Sequence, residues 1–372
     1  MKIGDFCTYA PKSTIKAGEA VLNGAFMFFT SSSDESKRYS EYQLDCEAII
    51  MGTGGNATLH YYNGKFSTST DCVVLLPNDT VRCKYLYYFF LCNMAILEDG
   101  FKGAGLKHTN KNYINSIDLS VIPSLEKQDK VIEVLDNVQS IIDGRKEEIS
   151  KLEELVKARF VEMFGDPYTN SKGFIKAPMG NYMTVLTDFN SNGSYKKLDG
   201  NVRMTDTPDF AWMVRTTDLE SGKMDSIKYI DEKAYELLSK SKIYGGEIIM
   251  NKIGSAGKVY LMPEITFPAS LGRNAFLFRY DDRINVKYLY YLLTSEYGTG
   301  EIQQYVKGAV TKTITKDNVR EIQIIVPDIS LQNMFVDFVK EVDKSRNAIQ
   351  KSIDLYQELF DKLMNDYFGE GE

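Results

Sequence analysis

Two long segments of the chain carry the heptad pattern of apolar positions that is typical of paired helices. In residues 124–166 the apolar positions are spaced by three and four residues, and Arg145 and Arg159 interrupt them. They are Val131, Leu135, Val138, Ile142, Ile149, Leu152, Val156 and Met163. A helix of about 40 residues is about 60 Å long and cannot bury such a seam by itself. The pattern therefore predicts one long helix that needs a partner of similar length.

The partner is the last segment, residues 327–372, because it repeats the first. The shared landmarks recur 204 positions later and are Pro123 and Pro327, Gln128 and Gln332, and the Phe-Gly pairs at 164–165 and 368–369. The second seam comprises Phe335, Val339, Val342, Ile349, Ile353, Tyr356, Phe360 and Tyr367. Two similar seams in one chain pair with each other because their effective concentration is high. Arg346 interrupts this seam three positions out of step with Arg145, which predicts a fixed helix register.

Residues 1–123 and 167–326 form two further blocks whose short apolar runs predict strands and buried helices. In the first block the predicted elements are strands at 26–29, 48–51, 59–62 and 72–76 and a helix at 85–97. Asn63-Gly64 is a dipeptide typical of hairpin turns, and the polar run 67–71 is predicted to be a loop. The second block repeats these features, with small shifts in spacing where loops change length.

The predicted fold class is α+β. It consists of two similar mixed α/β globular domains separated by two long helices, which pair as an antiparallel coiled coil with pseudo-twofold symmetry. The predicted boundaries are 1–123 for the first domain, 124–166 for the first helix, 167–326 for the second domain with a short linker at 167–177, and 327–372 for the second helix.

Composition and charge narrow the function further. The net charge of −7 is concentrated on the long repeats, which carry −9, whereas the globular blocks together carry +2. DNA binding by the blocks is therefore left open. The absence of a long apolar run argues against a membrane span, and the five cysteines lack metal-site spacing. We expect a cytoplasmic protein with free thiols.

The chain offers no recognisable catalytic constellation. Gly52-Thr53-Gly54-Gly55 lacks the spacing and the following lysine of a phosphate-binding loop, so a tight turn is the better interpretation. Only two histidines are present, with no carboxylate cluster to match them, which argues against a metal centre or a catalytic triad. Asp34-Glu35-Ser36-Lys37 is interpreted as a solvated loop.

Taken together, these motifs resemble the specificity (S) subunit of Type I restriction-modification systems over essentially the whole chain. Each motif is weak alone but strong when all recur twice in the same order. They are Tyr-Leu-Tyr-Tyr at 85–88 and 288–291, Gly103 and Gly308 in Gly/Lys loops, Pro-x4-Gln at 123–128 and 327–332, and Phe-Gly at both helix ends. The resemblance implies two target recognition domains, each recognising one half of a bipartite sequence in double-stranded DNA.

The resemblance also implies partners and a division of labour. The long helices would serve as a ruler and as the dock for two methyltransferase (M) subunits, with restriction (R) subunits as an optional addition. The M subunits would bind S-adenosylmethionine and methylate adenine, so this chain is expected to be no enzyme and to hold no cofactor or metal. The missing Asn/Asp-Pro-Pro-aromatic motif of amino methyltransferases agrees with this expectation.

Three loops in each globular block carry side chains suited to DNA bases and phosphates. The candidate contacts are Thr53, Asn56, Ser67, Thr68 and Lys107 in the first block, and Lys252, Ser255, Lys258, Arg273, Asn274, Lys307 and Lys312 in the second. Glycine neighbours, which let the backbone come close, favour four of the basic residues: Lys107, Lys258, Arg273 and Lys312. An ordinary polar surface loop is the alternative for each position.

Two other functions are compatible with the sequence. One is a stand-alone DNA-binding coiled-coil protein, such as a regulator, without an enzyme partner. The other is an enzyme whose site has no recognised motif. Co-purification with a methyltransferase separates the first alternative from the S-subunit hypothesis, and a methyl-transfer assay on the pure chain addresses the second.

Overall fold

A computed structural model describes residues 1–103, 107–119, 122–221 and 226–369. The chain forms two compact units, the first comprising residues 1–149 and 348–372 and the second residues 150–347. Each unit therefore contains one globular block and part of each long helix. Within the described part of the chain, no helix is long and apolar enough to cross a membrane.

The first unit contains one six-stranded sheet. Its strands are β1 (Cys7–Tyr9), β2 (Phe26–Phe29), β3 (Arg38–Tyr39), β4 (Leu44–Gly52), β5 (Leu59–Thr68) and β6 (Cys72–Pro77). They lie in the order β1-β6-β4-β5-β2-β3, and every neighbouring pair is antiparallel except β2 and β5. The predicted strands at 26–29, 48–51 and 72–76 are all present.

Asn63 and Gly64 lie inside β5, so the predicted hairpin turn is wrong. They are opposite Glu47 and Cys46 of β4 in a continuous antiparallel register. The strand continues in register past Gly64 and places Phe66 in the core, where it is fully buried. Burial of this side chain outweighs the turn preference of the dipeptide. Gly64 adopts a φ of +139°, which a glycine tolerates without strain.

The described part of the first block also contains three α-helices, α1 (Cys83–Cys92), α2 (Met94–Glu98) and α3 (Lys111–Ser116), and the long helix α4 (Leu125–Phe164) follows the block. The predicted helix at 85–97 is therefore two helices, interrupted at Asn93. Leu86 and Phe90 of α1 are fully buried and pack in one cluster with Ile49 and Leu75 of the sheet. The prediction that the Tyr/Phe-rich helix belongs to the core is confirmed.

The second unit has more strands, distributed over three sheets. They are β7 (Ile175–Pro178), β8 (Met183–Asp188), β9 (Ala211–Val214), β10 (Lys228–Ile230), β11 (Lys242–Ile243), β12 (Ile248–Asn251), β13 (Val259–Leu261), β14 (Ala269–Leu271), β15 (Ala275–Tyr280) and β16 (Gln323–Val326). The sheet orders are β10-β9-β14-β11, β13-β12-β15-β8 and β16-β7. The remaining helices are α5 (Tyr195–Asn201), α6 (Thr216–Ser221), α7 (Glu232–Leu237), α8 (Val286–Thr294), α9 (Glu296–Gln303), α10 (Lys316–Glu321) and α11 (Ile329–Phe368).

The two units share a four-stranded framework. The order β1-β6-β4-β5 in the first is matched by β8-β15-β12-β13 in the second, with antiparallel neighbours throughout. In each framework the helix that begins with the Lys-Tyr-Leu-Tyr-Tyr sequence follows the second strand of this order: α1 follows β6, and α8 follows β15. The internal repeat of the sequence is thus a repeat of topology.

The long helices run in opposite directions where they pair in the second unit. Phe164, at the end of α4, packs against Phe335 near the start of α11 with ring centroids 5.5 Å apart. Arg159 precedes Phe164 on α4, and its guanidinium lies 5.7 Å from the ring of Phe338, which follows Phe335 on α11. The antiparallel pairing predicted from the seams is confirmed.

The apolar seam differs in detail from the predicted heptads. In the first unit Leu135, Val138 and Ile142 are buried in one cluster with apolar residues of α11. Met364 and Phe368 are buried there, whereas the predicted seam residue Tyr367 is 40% exposed. In the second unit Phe160 and Phe164 are buried beside Val156.

Arg145 and Arg346 each form an ion pair within their own helix. Arg145 pairs with Glu148 at 2.7 Å, and Arg346 pairs with Asp343. Each arginine therefore has an ion-pair partner on its own helix, and Arg346 on α11 also interacts electrostatically with Glu153 on α4. The hypothesis that these two arginines set the register stays a prediction.

The repeated glutamines explain the Pro-x4-Gln spacing. The side chain of Gln128 accepts a hydrogen bond from the Arg82 backbone N–H (2.7 Å) and donates to the carbonyls of Thr80 (3.2 Å) and Pro123 (2.9 Å). Gln128 is fully buried. It therefore joins the start of α4, the proline before it and the loop before α1, at a distance that a spacing of five residues permits.

Gln332 makes the corresponding contacts in the second unit. It accepts from the Asn285 backbone N–H (2.8 Å) and donates to the carbonyls of Arg283 (3.0 Å) and Pro327 (2.8 Å). It too is fully buried. A buried amide that satisfies three backbone groups in each unit is a structural device, used twice.

Candidate nucleic-acid interface

In the first unit, two of the predicted loops meet at one end of the sheet. The backbone N–H of Gly55 donates to the carbonyl of Lys107 (3.0 Å), and that of Thr109 donates to the carbonyl of Thr53 (3.0 Å). Lys102 and His108 exchange two backbone hydrogen bonds of 3.0 and 3.1 Å, which close the Gly/Lys loop. The loop after β4 and the loop after α2 therefore form one surface.

The second unit repeats this arrangement bond for bond. The N–H of Gly254 donates to the carbonyl of Lys312 (2.9 Å), and that of Ile314 donates to the carbonyl of Lys252 (3.0 Å). Lys307 and Thr313 exchange two backbone hydrogen bonds of 2.9 and 2.7 Å. Gly308 adopts a φ of +111°, and a Cβ there would lie 2.1 Å from the Thr311 carbonyl oxygen, so the closed loop requires glycine.

Several predicted contact residues are exposed on these loops. They are Asn56 and Lys107 in the first unit and Ser255, Asn274, Lys307 and Lys312 in the second. Among the described residues, the ammonium groups of Lys107, Lys307 and Lys312 have no ion-pair partner. Thr53 is half-buried, and its hydroxyl donates to the carbonyl of Asp71 (3.0 Å). Three lysines are thus free to meet an anion.

Ser67 and Thr68 do not lie on an exposed loop, and that part of the prediction is wrong. Both are the last residues of β5, with exposures of 0% and 3%. The Ser67 hydroxyl donates to the Glu41 carbonyl (2.8 Å), and the Thr68 N–H donates to the Gln43 side-chain oxygen (3.1 Å). Their hydrogen-bonding groups hold the segment before β4 against the sheet, so polarity here marks a buried network and not a surface.

Three of the predicted basic contacts already have partners within the unit. Lys258 pairs with Glu220. Arg273 pairs with Asp199 at 2.7 Å, and its guanidinium lies 5.1 and 5.2 Å from the rings of Phe189 and Tyr195. Lys252 is treated below. Neither Glu220 nor Asp199 is suggested by local sequence, because each lies at least 38 positions away.

Two further basic or aromatic side chains have structural roles. Arg215, directly after β9, forms a two-pronged ion pair with Asp218 and also donates to the Ser226 carbonyl (2.8 Å). Tyr61 packs against Tyr87 with centroids 5.6 Å apart, and its hydroxyl donates to Glu47 (2.6 Å). These are the contacts of residues packed within the unit.

Comparison with known proteins bears on this duplicated surface. A family model described as "Type I restriction modification DNA specificity domain" matches residues 1–154 and 186–359. The chain belongs to this family. The matched residues include both sets of paired loops and most of both long helices, so the internal repeat is a repeat of specificity domains.

Relatives of this specificity-subunit family span most of the chain. The specificity subunit of the MjaVIII Type I restriction enzyme of Methanocaldococcus jannaschii is 22% identical over 340 residues, covering 86% of this chain and 77% of that protein. The EcoBI specificity subunit of Escherichia coli is 19% identical over 334 residues, covering 84% and 70%. Both alignments cover more than four fifths of this chain.

Solved structures show the same fold. The S subunit of a Type I restriction-modification system from M. genitalium superimposes with a TM-score of 0.63 at 14% identity, covering 100% of this chain and 96% of that one. A chain from a structure describing complex assembly and conformational transition of the Type I system gives a TM-score of 0.54 at 14% identity, covering 100% and 97%. Both cover both blocks and both helices, and so confirm the predicted fold class.

The second unit of this specificity subunit also has a groove that the sequence did not indicate. It has a volume of about 870 Å³ and lies between the helix pair and α8. Apolar side chains of α4 and α8, including Val156, Phe160, Tyr290 and Tyr291, line it together with the charged residues Lys287, Asp343 and Arg346. Val161 and Tyr168 at its rim are 56% and 58% exposed. An apolar groove with a polar edge is suited to a protein partner.

A pair of glycines is a second feature that sequence analysis missed. Gly4 and Gly180 each lie in a one-turn helix that opens its block, and each is covered by the short helix before the long one. A Cβ on Gly4 would lie 3.0 Å from that of Asn115, and one on Gly180 would lie 2.8 Å from that of Arg320. The signal was the similarity of Ile3-Gly4-Asp5-Phe6 to Met179-Gly180-Asn181-Tyr182, at an offset shorter than that of the helices.

Proposed function

We propose that this chain is the sequence-specificity subunit of a Type I restriction-modification complex, in which each unit recognises one half of a bipartite target in double-stranded DNA. The observation that carries the proposal is the duplicated pair of loops at the same end of a shared framework. In both units a Gly-rich loop and a Gly/Lys loop are joined by the same backbone hydrogen bonds. Membership of the specificity family supports a DNA role for this repeated surface.

The loops have the composition that DNA requires. Lys107, Lys307 and Lys312 supply charge for phosphates, while Asn56, Ser255 and Asn274 supply donors and acceptors for base edges. The paired loops are joined to each other by backbone hydrogen bonds, so exposed side chains on them can differ between members without loss of those bonds. Such a surface is suited to changing specificity on a constant scaffold.

The chain itself is proposed to be non-catalytic. Methyl transfer to adenine and the binding of S-adenosylmethionine are assigned to two M subunits, and cleavage to R subunits where a system has them. The described residues contain no group of three or more His, Cys, Asp or Glu side chains that could hold a metal ion. The proposal therefore requires no cofactor on this chain, and its specificity would act through its partners.

The groove beside α8 is proposed as a docking site for an M subunit. Its exposed rim residues Val161 and Tyr168 would be buried by the partner, and Arg346 with Asp343 would provide a polar edge. The off-seam residues Val134 and Ile141 of the first unit, 37% and 38% exposed, are further apolar positions on α4 for partner contact.

Co-expression tests the assignment as a whole. Produced with the methyltransferase of the same system, the chain is expected to purify as a complex of one S and two M subunits that methylates adenine at one bipartite sequence. Sequencing of methylated host DNA identifies that target. A complex that methylates without this chain, or a methyltransferase that never associates with it, would contradict the proposal.

Surface substitutions test the groove separately. Val161→Asp is expected to weaken M binding at least tenfold, measured by titration of purified subunits, because it places a charge in an interface that should be dry. Met334→Asp is the matched control, since Met334 is 59% exposed on α11 but does not line the groove. Equal binding by the two variants would remove the groove from the docking surface.

The stand-alone DNA-binding protein is the second candidate, and the same experiments exclude or establish it. It predicts tight, sequence-specific DNA binding by the pure chain with no effect of methyltransferase. Methyl transfer by the pure chain supplied with DNA and S-adenosylmethionine would overturn both candidates.

A further inference from the structure

One carboxylate in the second unit holds two lysines at the loop end of the shared framework. Asp188, the last residue of β8, lies 2.8 Å from the ammonium of Lys252 and 2.9 Å from that of Lys316. Asp188 is only 6% exposed. The three residues come from three separate segments of the chain, so their meeting is a product of the fold.

Four donors meet this carboxylate. Besides the two ammonium groups, it accepts the backbone N–H of Ser191 (3.1 Å) and the hydroxyl of Ser191 (2.6 Å). Oδ1 receives three of these hydrogen bonds, and Oδ2 receives the one from Lys252. Because Asp188 is also 6% exposed, little of the carboxylate is accessible to the amino group of a base. Its role is to fix the two lysines.

The lysines, by contrast, keep donors to spare. The Lys252 ammonium uses one of its three N–H groups on Asp188, and that of Lys316 uses two, on Asp188 and on Ser191 (2.7 Å). A cleft of about 390 Å³ opens beside them, lined also by Asn190 and Phe276. Two ammonium groups and one carboxylate leave a net positive charge. The site is therefore built for an anionic acceptor.

The position of the cleft indicates which acceptor. Lys252 lies at the root of the Gly-rich loop, where its N–H donates to the Asn274 carbonyl (2.8 Å), and Lys316 begins α10 just beyond the Gly/Lys loop. The Gly/Lys loop before Lys316 is open to solvent at Val310, which is 98% exposed. A base edge inside a groove must be reached by a projecting side chain, whereas a phosphate projects from the duplex and can enter a recess.

We propose that Lys252 and Lys316, positioned by Asp188, form a preformed seat for one backbone phosphate of the DNA bound by the second unit. This inference rests on the proposed DNA-binding function. It adds a specific positioning site, with Asp188 and Lys316 as members that the sequence did not single out. Within the described residues of the first unit, no carboxylate pairs with two lysines. The seat thus distinguishes the two units.

Neutral methylphosphonates in place of single phosphates test the seat in the assembled complex with target duplex DNA. One position in the half-site of the second unit should weaken binding, and that position should lose its effect in Lys316→Gln. Lys316→Gln itself is expected to weaken binding about eightfold at 0.1 M salt and to reduce the slope of log affinity against log salt by about 0.9. Lys252→Gln should behave in the same way.

Lys340→Gln is the matched control, because it removes the same charge from an exposed, ion-paired lysine on α11. It should leave the methylphosphonate profile unchanged. If Lys316→Gln keeps every methylphosphonate effect of the wild type, the seat is overturned, while the DNA-binding function stands as long as the wild-type complex binds its target. No target binding by the wild-type complex would instead overturn the proposed function.

Asp188→Asn separates positioning from simple charge. Removing a negative charge near DNA should tighten binding if Asp188 only opposes the phosphate. If Asp188 positions the lysines, binding weakens and the effect of the single methylphosphonate spreads or disappears. Tighter binding with an unchanged profile would remove Asp188 from the seat. Lys316→Arg, which keeps the charge, should restore most of the salt slope lost in Lys316→Gln.

Discussion

The two globular blocks share one framework but use it differently. In the first, β5 of the framework is extended by β2 and β3 into a six-stranded sheet, whereas the second adds a separate four-stranded sheet, β10-β9-β14-β11. The added strands lie between β1 and β4 in one block and between β8 and β12 in the other, except β14, which lies between β13 and β15. The strands that support the loops have the same order in both blocks, and the elements beside them differ.

The same contrast holds for side chains. Buried residues that hold the framework together recur, as Gln128 and Gln332 or Gly4 and Gly180 do, because each solves a packing or hydrogen-bonding problem set by the topology. Not every charged group at the loop end recurs: Lys107 and Lys312 are equivalent, whereas Asp188 with its two lysines belongs to the second block alone among the described residues. A common scaffold with unlike surfaces is what two different half-sites would require.

The largest expected effect comes from removing the buried glutamine that each unit has at the start of its long helix. Gln128→Leu and Gln332→Leu each remove the side-chain partner of three backbone groups, and each should destabilise its own unit by about 3 kcal/mol. Hydrogen exchange resolved along the chain measures the two units separately. Gln139→Leu is the control, because Gln139 is only half-buried and its side-chain amide donates to the exposed Asp143 and to no backbone group among the described residues. Destabilisation in only one of the two variants would show that the two glutamines do not contribute equally to the stability of their units.

The next effect is the pH dependence of stability that Asp188 gives to the second unit. Burial raises the pKa of Asp188, but hydrogen bonds from Lys252, Ser191 and Lys316, with the charge of Lys252, lower it to about 2. A lowered folded pKa gives stability that is present above about pH 4 and lost as the pH falls toward 2, here about 2 kcal/mol. Acid unfolding followed by hydrogen exchange should show this loss in the second unit, and Asp188→Asn should abolish it. A loss that persists in Asp188→Asn would contradict the assignment.

A smaller effect compares the two packed glycines. Gly180→Ala should destabilise the second unit by about 1–2 kcal/mol, because its new Cβ would lie 2.8 Å from the Arg320 Cβ. Gly4→Ala should cost less, since the corresponding distance to Asn115 is 3.0 Å. Thermal unfolding with unit-resolved exchange checks the order. Gly144→Ala, at an exposed helical glycine with no atom near the added Cβ, should stabilise or change nothing.

The smallest effect compares the free lysines of the two loops. Lys107→Glu and Lys312→Glu should each weaken target binding by the assembled complex about tenfold at 0.1 M salt, because each removes one phosphate contact and adds a repulsive charge. Binding titrations at several salt concentrations measure it. If either variant binds like the wild type, that lysine is removed from the contact surface, and the equivalence of the two loops is broken.

Much of the architecture was predictable because apolar residues recur at regular spacing and motifs recur between the two halves of the chain. The heptad seams identified both long helices to within a residue or two, and the repeated motifs identified two similar blocks. Local dipeptide preference failed at Asn63-Gly64, where burial of a continuing strand outweighs the turn preference. Polarity failed at Ser67 and Thr68, since hydroxyl groups satisfied by backbone partners can be buried without cost.

The sequence by itself determined the repeat, the helix lengths and the loops that carry glycine and lysine, because these depend on neighbours along the chain. Only the tertiary structure decided which lysines are free and which are held. Lys258, Arg273 and Lys252 meet carboxylates that lie 38, 74 and 64 positions away. Such pairings depend on how strands and loops meet in space, and no local pattern encodes them. Lys107 and Lys312 are left free by the same folding, which makes them available to DNA.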